Sequence, residues 1–171
     1  ALNSPADEAF ANIDRVKIVF TDGRFDSAAS DDLDLAGIEV EQLADALAHD
    51  IHWGREIYGV LEAAGQVPVQ RSLATLNTAY AEAGVMIRVK GVVAKPVHLV
   101  YRSGSSNKDA ILHHCVKLEE GSDLTLLESG TAAGRLNSVL EVDVADGARF
   151  HHIRIQGRDH ERRVNTHVSV S

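Results

Sequence analysis

Several residue types are scarce in this 171-residue chain, and each scarcity excludes something. A single cysteine, Cys115, rules out an internal disulfide and suits a reducing compartment. Aromatic residues make up 5% of the chain, and residues 85–171 contain only Tyr101 and Phe150 among Phe, Tyr and Trp. That leaves few platforms on which a sugar ring could stack. Basic residues number 17 against 25 acidic ones, for a net charge of −8. Such a balance argues against a nucleic-acid or anionic-membrane surface, since both need clustered Lys and Arg. The local cluster Arg158, Arg162 and Arg163 is interleaved with Asp159, His160 and Glu161 and reads as a solvated loop. No apolar run approaches the ~20 residues of a membrane helix. The first residues show neither the basic nor the apolar region of a signal peptide, so the expected location is the cytoplasm. No GxxxxGK phosphate loop and no Gly-x-Ser-x-Gly elbow is present.

What is present is a repeat. Val116, Val142 and Val168 stand 26 residues apart (142 − 116 and 168 − 142), and Leu118, Val144 and Val170 repeat the step two residues on. The turn Glu120-Gly121-Ser122-Asp123-Leu124 is answered by Asp146-Gly147-Ala148-Arg149-Phe150. A recurring strand-and-turn unit is the signature of a stacked β architecture. Val97 and Leu99 precede Leu124 and Leu126 by 27 (124 − 97 and 126 − 99), close to the same step. Successive coils would stack at ~4.8 Å, the spacing between paired strands. The chain stops in the third clear coil without a cap, so it is expected to be a piece of a longer protein whose open edge could meet a second copy.

The residues before the repeat follow another pattern. Residues 1–15 read as an arm. Val16-Lys17-Ile18-Val19-Phe20 reads as a strand, Asp22-Gly23 as a hairpin turn, and Arg24-Phe25 as the return. Residues 26–37 read as loop. Three apolar stripes then predict helices that pack on the core: Leu43, Leu47 and Ile51; Trp53, Ile57, Val60, Leu61 and Ala64, ended by Gly65; and Leu73, Leu76, Tyr80 and Ala83, opened by Pro68 and stopped by Gly84. From Val85 the period falls to two, with Val85, Ile87 and Val89 alternating with Met86, Arg88 and Lys90. The division is thus an N-terminal α/β segment over 1–84 and stacked coils over 85–171.

Val16 through Phe25 resembles the VFVDG(R/K)F strand of the SufB/SufD family, in its SufD branch. Leu73–Gly84, Val85–Val89 and Lys95-Pro96-Val97-His98-Leu99 look like that family's entry helix and first coils. His113-His114 with Leu118-Glu119-Glu120-Gly121, and Val144-Ala145-Asp146-Gly147-Ala148, match its later coils. The resemblance implies a mainly β chain, a right-handed parallel β-helix (a single-stranded β-solenoid) preceded by a small α/β segment with a hairpin and about three helices. It implies a non-enzymatic part of the SUF iron–sulfur cluster assembly scaffold, supporting iron acquisition. Its partners would be a SufC-type ABC ATPase and a SufB-type paralogue, reached through regions mostly absent here. The iron–sulfur cluster would belong to the full complex rather than to this chain. Two other readings stand beside it: a β-solenoid interaction module without metal chemistry, and a β-helix carbohydrate-active enzyme.

The nine histidines are the one tempting chemical feature: His49, His52, His98, His113, His114, His151, His152, His160 and His167. His113 and Cys115 lie two apart and share a face. With Val116 and Leu118 turned inward, that face is the outer one; His151 should likewise point out, and His152 in. Two residues do not make a metal site, so packed or solvated side chains are the expectation. An inward His114 or His152 should bond a neighbouring carbonyl. Cys115 lacks a demonstrable base or oxyanion site. No catalytic residue and no metal ligand is therefore assigned, and cofactor-binding residues stay unassigned.

Overall fold

The computed structural model describes residues 9–33, 37–49, 52–104, 108–130, 133–156 and 162–171. It is mainly β, with 47% strand, 16% helix and two mixed sheets, and no closed barrel among the described residues. Strands β1 (Val16–Thr21) and β2 (Arg24–Phe25) form the expected antiparallel hairpin. Its turn residues Asp22 and Gly23 have φ of 50° and 75°, the positive values a type I′ turn requires. A third strand, β3 (Ile38–Gln42), runs antiparallel to β4 (Val85–Val89). The alternation Ile38-Glu39-Val40-Glu41 is its signal, just beyond the stretch read as loop.

From β4 onward, consecutive strands enter alternate sheets. β5 (Val97–Arg102), β7 (Asp123–Gly130) and β9 (Arg149–Ile155) extend the sheet ordered β2-β1-β5-β7-β9. β6 (Asp109–Leu118), β8 (Arg135–Val144) and β10 (Arg163–Val170) extend the sheet ordered β10-β8-β6-β4-β3. Apart from β1–β2 and β3–β4, the neighbours pair in parallel. The pairs Val116↔Val142 and Leu118↔Val144 keep the expected 26-residue step (142 − 116). Elsewhere the step differs. Val142 pairs with Val170 rather than Val168, a step of 28 (170 − 142), and Val97 pairs with Leu126 rather than Leu124, a step of 29 (126 − 97). Each correction is two residues, so every side chain keeps its face while the loops absorb the difference. The glycine turns stack as the repeat demands: Gly121 and Gly147 have φ of 68° and 70°, and Gly121 N–H donates to the Asp146 carbonyl at 3.1 Å.

The facing sides of the two sheets form the main core, including Ile18, Phe20, Ile87, Leu99, Val116, Leu126 and Val142. Burying each such side chain is worth roughly 1.5–3 kcal/mol. Strands from 1–84 and from 85–171 share both sheets and this core.

The helical segment packs on the opposite side of the β4–β6–β8 sheet. It comprises α1 (Leu43–Ala48), a 3₁₀ turn at Trp53–Glu56, α2 (Val60–Ala64) and α3 (Ser72–Tyr80). A second, smaller core forms there from Leu43, Ala46, Ile57, Met86 and Cys115. The apolar stripes do not all serve this core. In the first, Leu43 is buried and Leu47 exposed, and Ile51 lies outside the described residues. The second is broken at Gly59 (φ 73°), leaving Ile57 buried but Val60 exposed. In the third, Leu73 and Tyr80 are 52% and 68% exposed, and the buried residues are Ala74 and Asn77. The reason is polar: Asn77 Nδ2 donates to the carbonyls of Leu112 (3.0 Å) and Asn137 (2.9 Å), pinning that face of α3 onto β6 and β8. The helix begins at Ser72, four residues after Pro68. Gly84 (φ 157°) lets the chain enter β4 against β6, because a Cβ there would sit 1.7 Å from the His113 carbonyl oxygen. No described helix is long and apolar enough to cross a membrane.

Candidate functional site

Period two places His113 and His114 on opposite faces of β6, and each anchors a separate buried polar network. On the outer face, β6 supplies His113 and Cys115, and β8 supplies Glu141, directly across from Cys115 in the register. All three are fully buried. His113 Nε2 lies 2.6 Å from Glu141 Oε1, and His113 Nδ1 lies 3.0 Å from Asn77 Oδ1. Asn77 spends its amide protons on two carbonyls, so its oxygen must accept from Nδ1. Helix α2 and the residue before it complete the shell: Gly59 N–H donates to Glu141 Oε1 at 2.5 Å and Glu62 N–H to Oε2 at 2.8 Å. The Tyr58 ring lies over His113, centroids 4.2 Å apart, and its hydroxyl donates to the Thr78 carbonyl. Burial, with Cys115 and Glu141 nearby, pushes the Tyr58 phenol up to about 12. Burial and then Glu141 push the Cys115 thiol well above its ordinary value. The ligand atoms of His113, Cys115 and Glu141 all lie within 4.8 Å of one another, an arrangement that could hold a metal ion.

On the inner face the polar groups form a chain between the sheets. Val85 N–H donates to His114 Nδ1 (3.2 Å), which puts the ring proton on Nε2. Nε2–H then faces Tyr101 Oη (3.0 Å), and the Tyr101 hydroxyl donates to Glu128 Oε2 (2.8 Å). His152 Nε2 meets Glu128 Oε1 at 2.6 Å, and Arg154 reaches Oε2 at 3.2 Å while lying over the Tyr101 ring. Burial alone would raise the Glu128 carboxyl. The hydrogen bond from His152, the Arg154 charge, His114 and the Tyr101 hydroxyl outweigh it and bring it down to about 2. Burial lowers His114 to about 4, so its ring is neutral at pH 7.

Sequence reasoning placed His113 and Cys115 on the outer face, His152 inward and His151 outward, and the structure agrees. It expected an inward histidine to bond a carbonyl; His114 and His152 instead bond a phenol, a backbone amide and a carboxylate, because the interior offers those side chains at that level. It missed Glu141, although the 26-residue step (141 − 115) already set it beside Cys115, and it missed Glu128, Tyr101 and Asn77. Of the other histidines, His98 is buried between Arg15 Nε (2.9 Å) and Ser129 Oγ (2.8 Å), and His52 accepts from Gly54 N–H. His49 follows α1, His167 lies half-buried on β10, and His160 is outside the described residues. An open groove of about 800 Å³, lined by Asp22, Arg24, Leu76, Tyr80 and Glu82 among others, includes none of the residues of either network.

No protein-family model matches this chain, and no curated protein sequence matches it.

Proposed function

We propose that this chain is a non-enzymatic structural component of an iron–sulfur cluster assembly scaffold of the SufB/SufD kind, in its SufD branch, working in the cytoplasm. In this reading the strands that alternate between two sheets are coils of a right-handed parallel β-helix. The supporting observation is the parallel in-register pairing of β4–β6–β8–β10 interleaved with β5–β7–β9, with glycine turns stacked between levels. The hairpin β1–β2, whose sequence carries the resemblance, joins the same sheet as β5. The partners are a SufC-type ATPase and a SufB-type paralogue.

The test is affinity purification of the protein from its own cells, with mass spectrometry and assay of iron and sulfide. Recovery with an ABC-type ATPase, a second β-rich paralogue and bound iron supports the proposal. Recovery without any of them overturns it. The internally satisfied hydrogen bonds of the inner network favour one second reading, an interaction module with no cluster chemistry. That reading predicts partners but no iron.

A further inference from the structure

We infer that His113, Cys115 and Glu141 form a binding site for one borderline divalent transition-metal ion, of the Zn²⁺ type. The inference does not depend on the scaffold reading. It starts from the donor atoms: an imidazole nitrogen, a sulfur and a carboxylate oxygen, all within 4.8 Å of one another and all buried. This mixed set suits an ion between hard and soft, and three protein donors with an open fourth position are common around zinc. Met86 pairs with Cys115 across the strands and shares its buried apolar cluster, so the wall beside the sulfur is hydrophobic.

The surroundings are those of a ligand histidine. Asn77 Oδ1 accepts the Nδ1 proton, leaving Nε2 to face the carboxylate. A histidine that ligates through Nε2 is typically oriented by such a bond from its other nitrogen. With Nδ1–H committed, Nε2 and Glu141 Oε1 are two acceptors 2.6 Å apart, and they need a cation between them. A shared proton fills that role in the metal-free chain. A divalent ion replaces it when the His113 and Glu141 donors part from hydrogen-bond distance and the Cys115 thiolate joins as third donor, with release of two protons: one shared by His113 and Glu141, one from the thiol. The charge of the buried site is the same before and after, so the exchange adds no net charge to a low-dielectric interior. The half-buried Tyr58 and the short α2 segment cover the site, and the amides of Gly59 and Glu62 grip Glu141.

The test is titration of the purified chain with Co²⁺ as an optical probe, then with Zn²⁺. The expected result is one Co²⁺ per chain with a thiolate-to-cobalt charge-transfer band, displaced by Zn²⁺, and a higher unfolding midpoint with Zn²⁺ present. Cys115→Ala should abolish the band, and its fold is checked by circular dichroism and its own unfolding midpoint. His113→Gln should weaken binding by more than the about 10–100-fold that loss of an outer-shell partner costs. His151→Asn, at an exposed position, should change nothing. Absence of the band in the wild-type chain, or Co²⁺ binding that is unchanged in Cys115→Ala, overturns the site.

Discussion

Two neighbouring histidines, His113 and His114, end in opposite environments, and the contrast explains how this sheet keeps buried charge. The outer network holds Glu141 with backbone amides from Gly59 and Glu62, so a carboxylate fastens the helical segment to the sheet. The inner network holds Glu128 with side chains of the two strands beside it in its own sheet: Tyr101, His152 and Arg154. The outer carboxylate therefore acts as a clasp between layers. The inner one acts as a plug of polar groups in a core that is apolar at its other levels. A buried charge is tolerated in both because every oxygen finds donors.

The largest expected effect comes from breaking the boundary that both networks share. Gly84→Ala drives a Cβ into the His113 carbonyl, and the chain must shift β4 away from β6, disturbing His113 and Val85 together. Loss of more than about 3 kcal/mol, or failure to fold, is expected in urea unfolding. Retention of the wild-type midpoint would show that the close approach is not real.

Glu141→Leu comes next. It strands two backbone amides and the His113 ring, and should cost about 3–5 kcal/mol. Loss of protection at the Gly59 and Glu62 amides in hydrogen exchange, with the β5–β7–β9 sheet unaffected, would localise the effect to the clasp.

The inner network is best separated by pH. Glu128 is held at about 2 against an ordinary 4.5, so it adds stability above about pH 4.5 that is lost as pH falls toward 2. His114 is held at about 4 against 6.5; the unfolded chain binds its proton first, so acid also destabilises between about pH 6.5 and 4. Each contribution is on the order of 3 kcal/mol. Stability measured against pH should fall in two stages in the wild type. Glu128→Gln should remove the lower stage, and His114→Gln the upper one. A single unchanged slope in both variants would refute the proposed chain of bonds. The smallest effect belongs to the surface: Arg135→Ala removes an exposed pair with Asp109 and should leave the unfolding midpoint where it is.

The alternation around Val85, the Asp22-Gly23 turn and the glycine turns at 121 and 147 were legible because they depend on local geometry: period two, positive φ, and one repeated turn. The outer placement of His113 and Cys115 followed from parity alone. Spacing was less legible. Steps of 28 and 29 replace the expected 26 and 27, since loops absorb two residues without turning any side chain over. The helices were the weakest part. The apolar stripe of α3 predicted one buried face, while Asn77 and its two carbonyl partners selected another.

By itself the sequence determined that this chain is built of alternating strands with stacked glycine turns, and which residues share a face, because these depend only on backbone period and turn chemistry. Tertiary structure alone decided which charges meet. Glu141 finds amides on α2 about eighty residues earlier, and Glu128 finds Tyr101 and Arg154 on the neighbouring strands. Such meetings depend on register and on how the layers dock, and both arise from packing the whole chain at once.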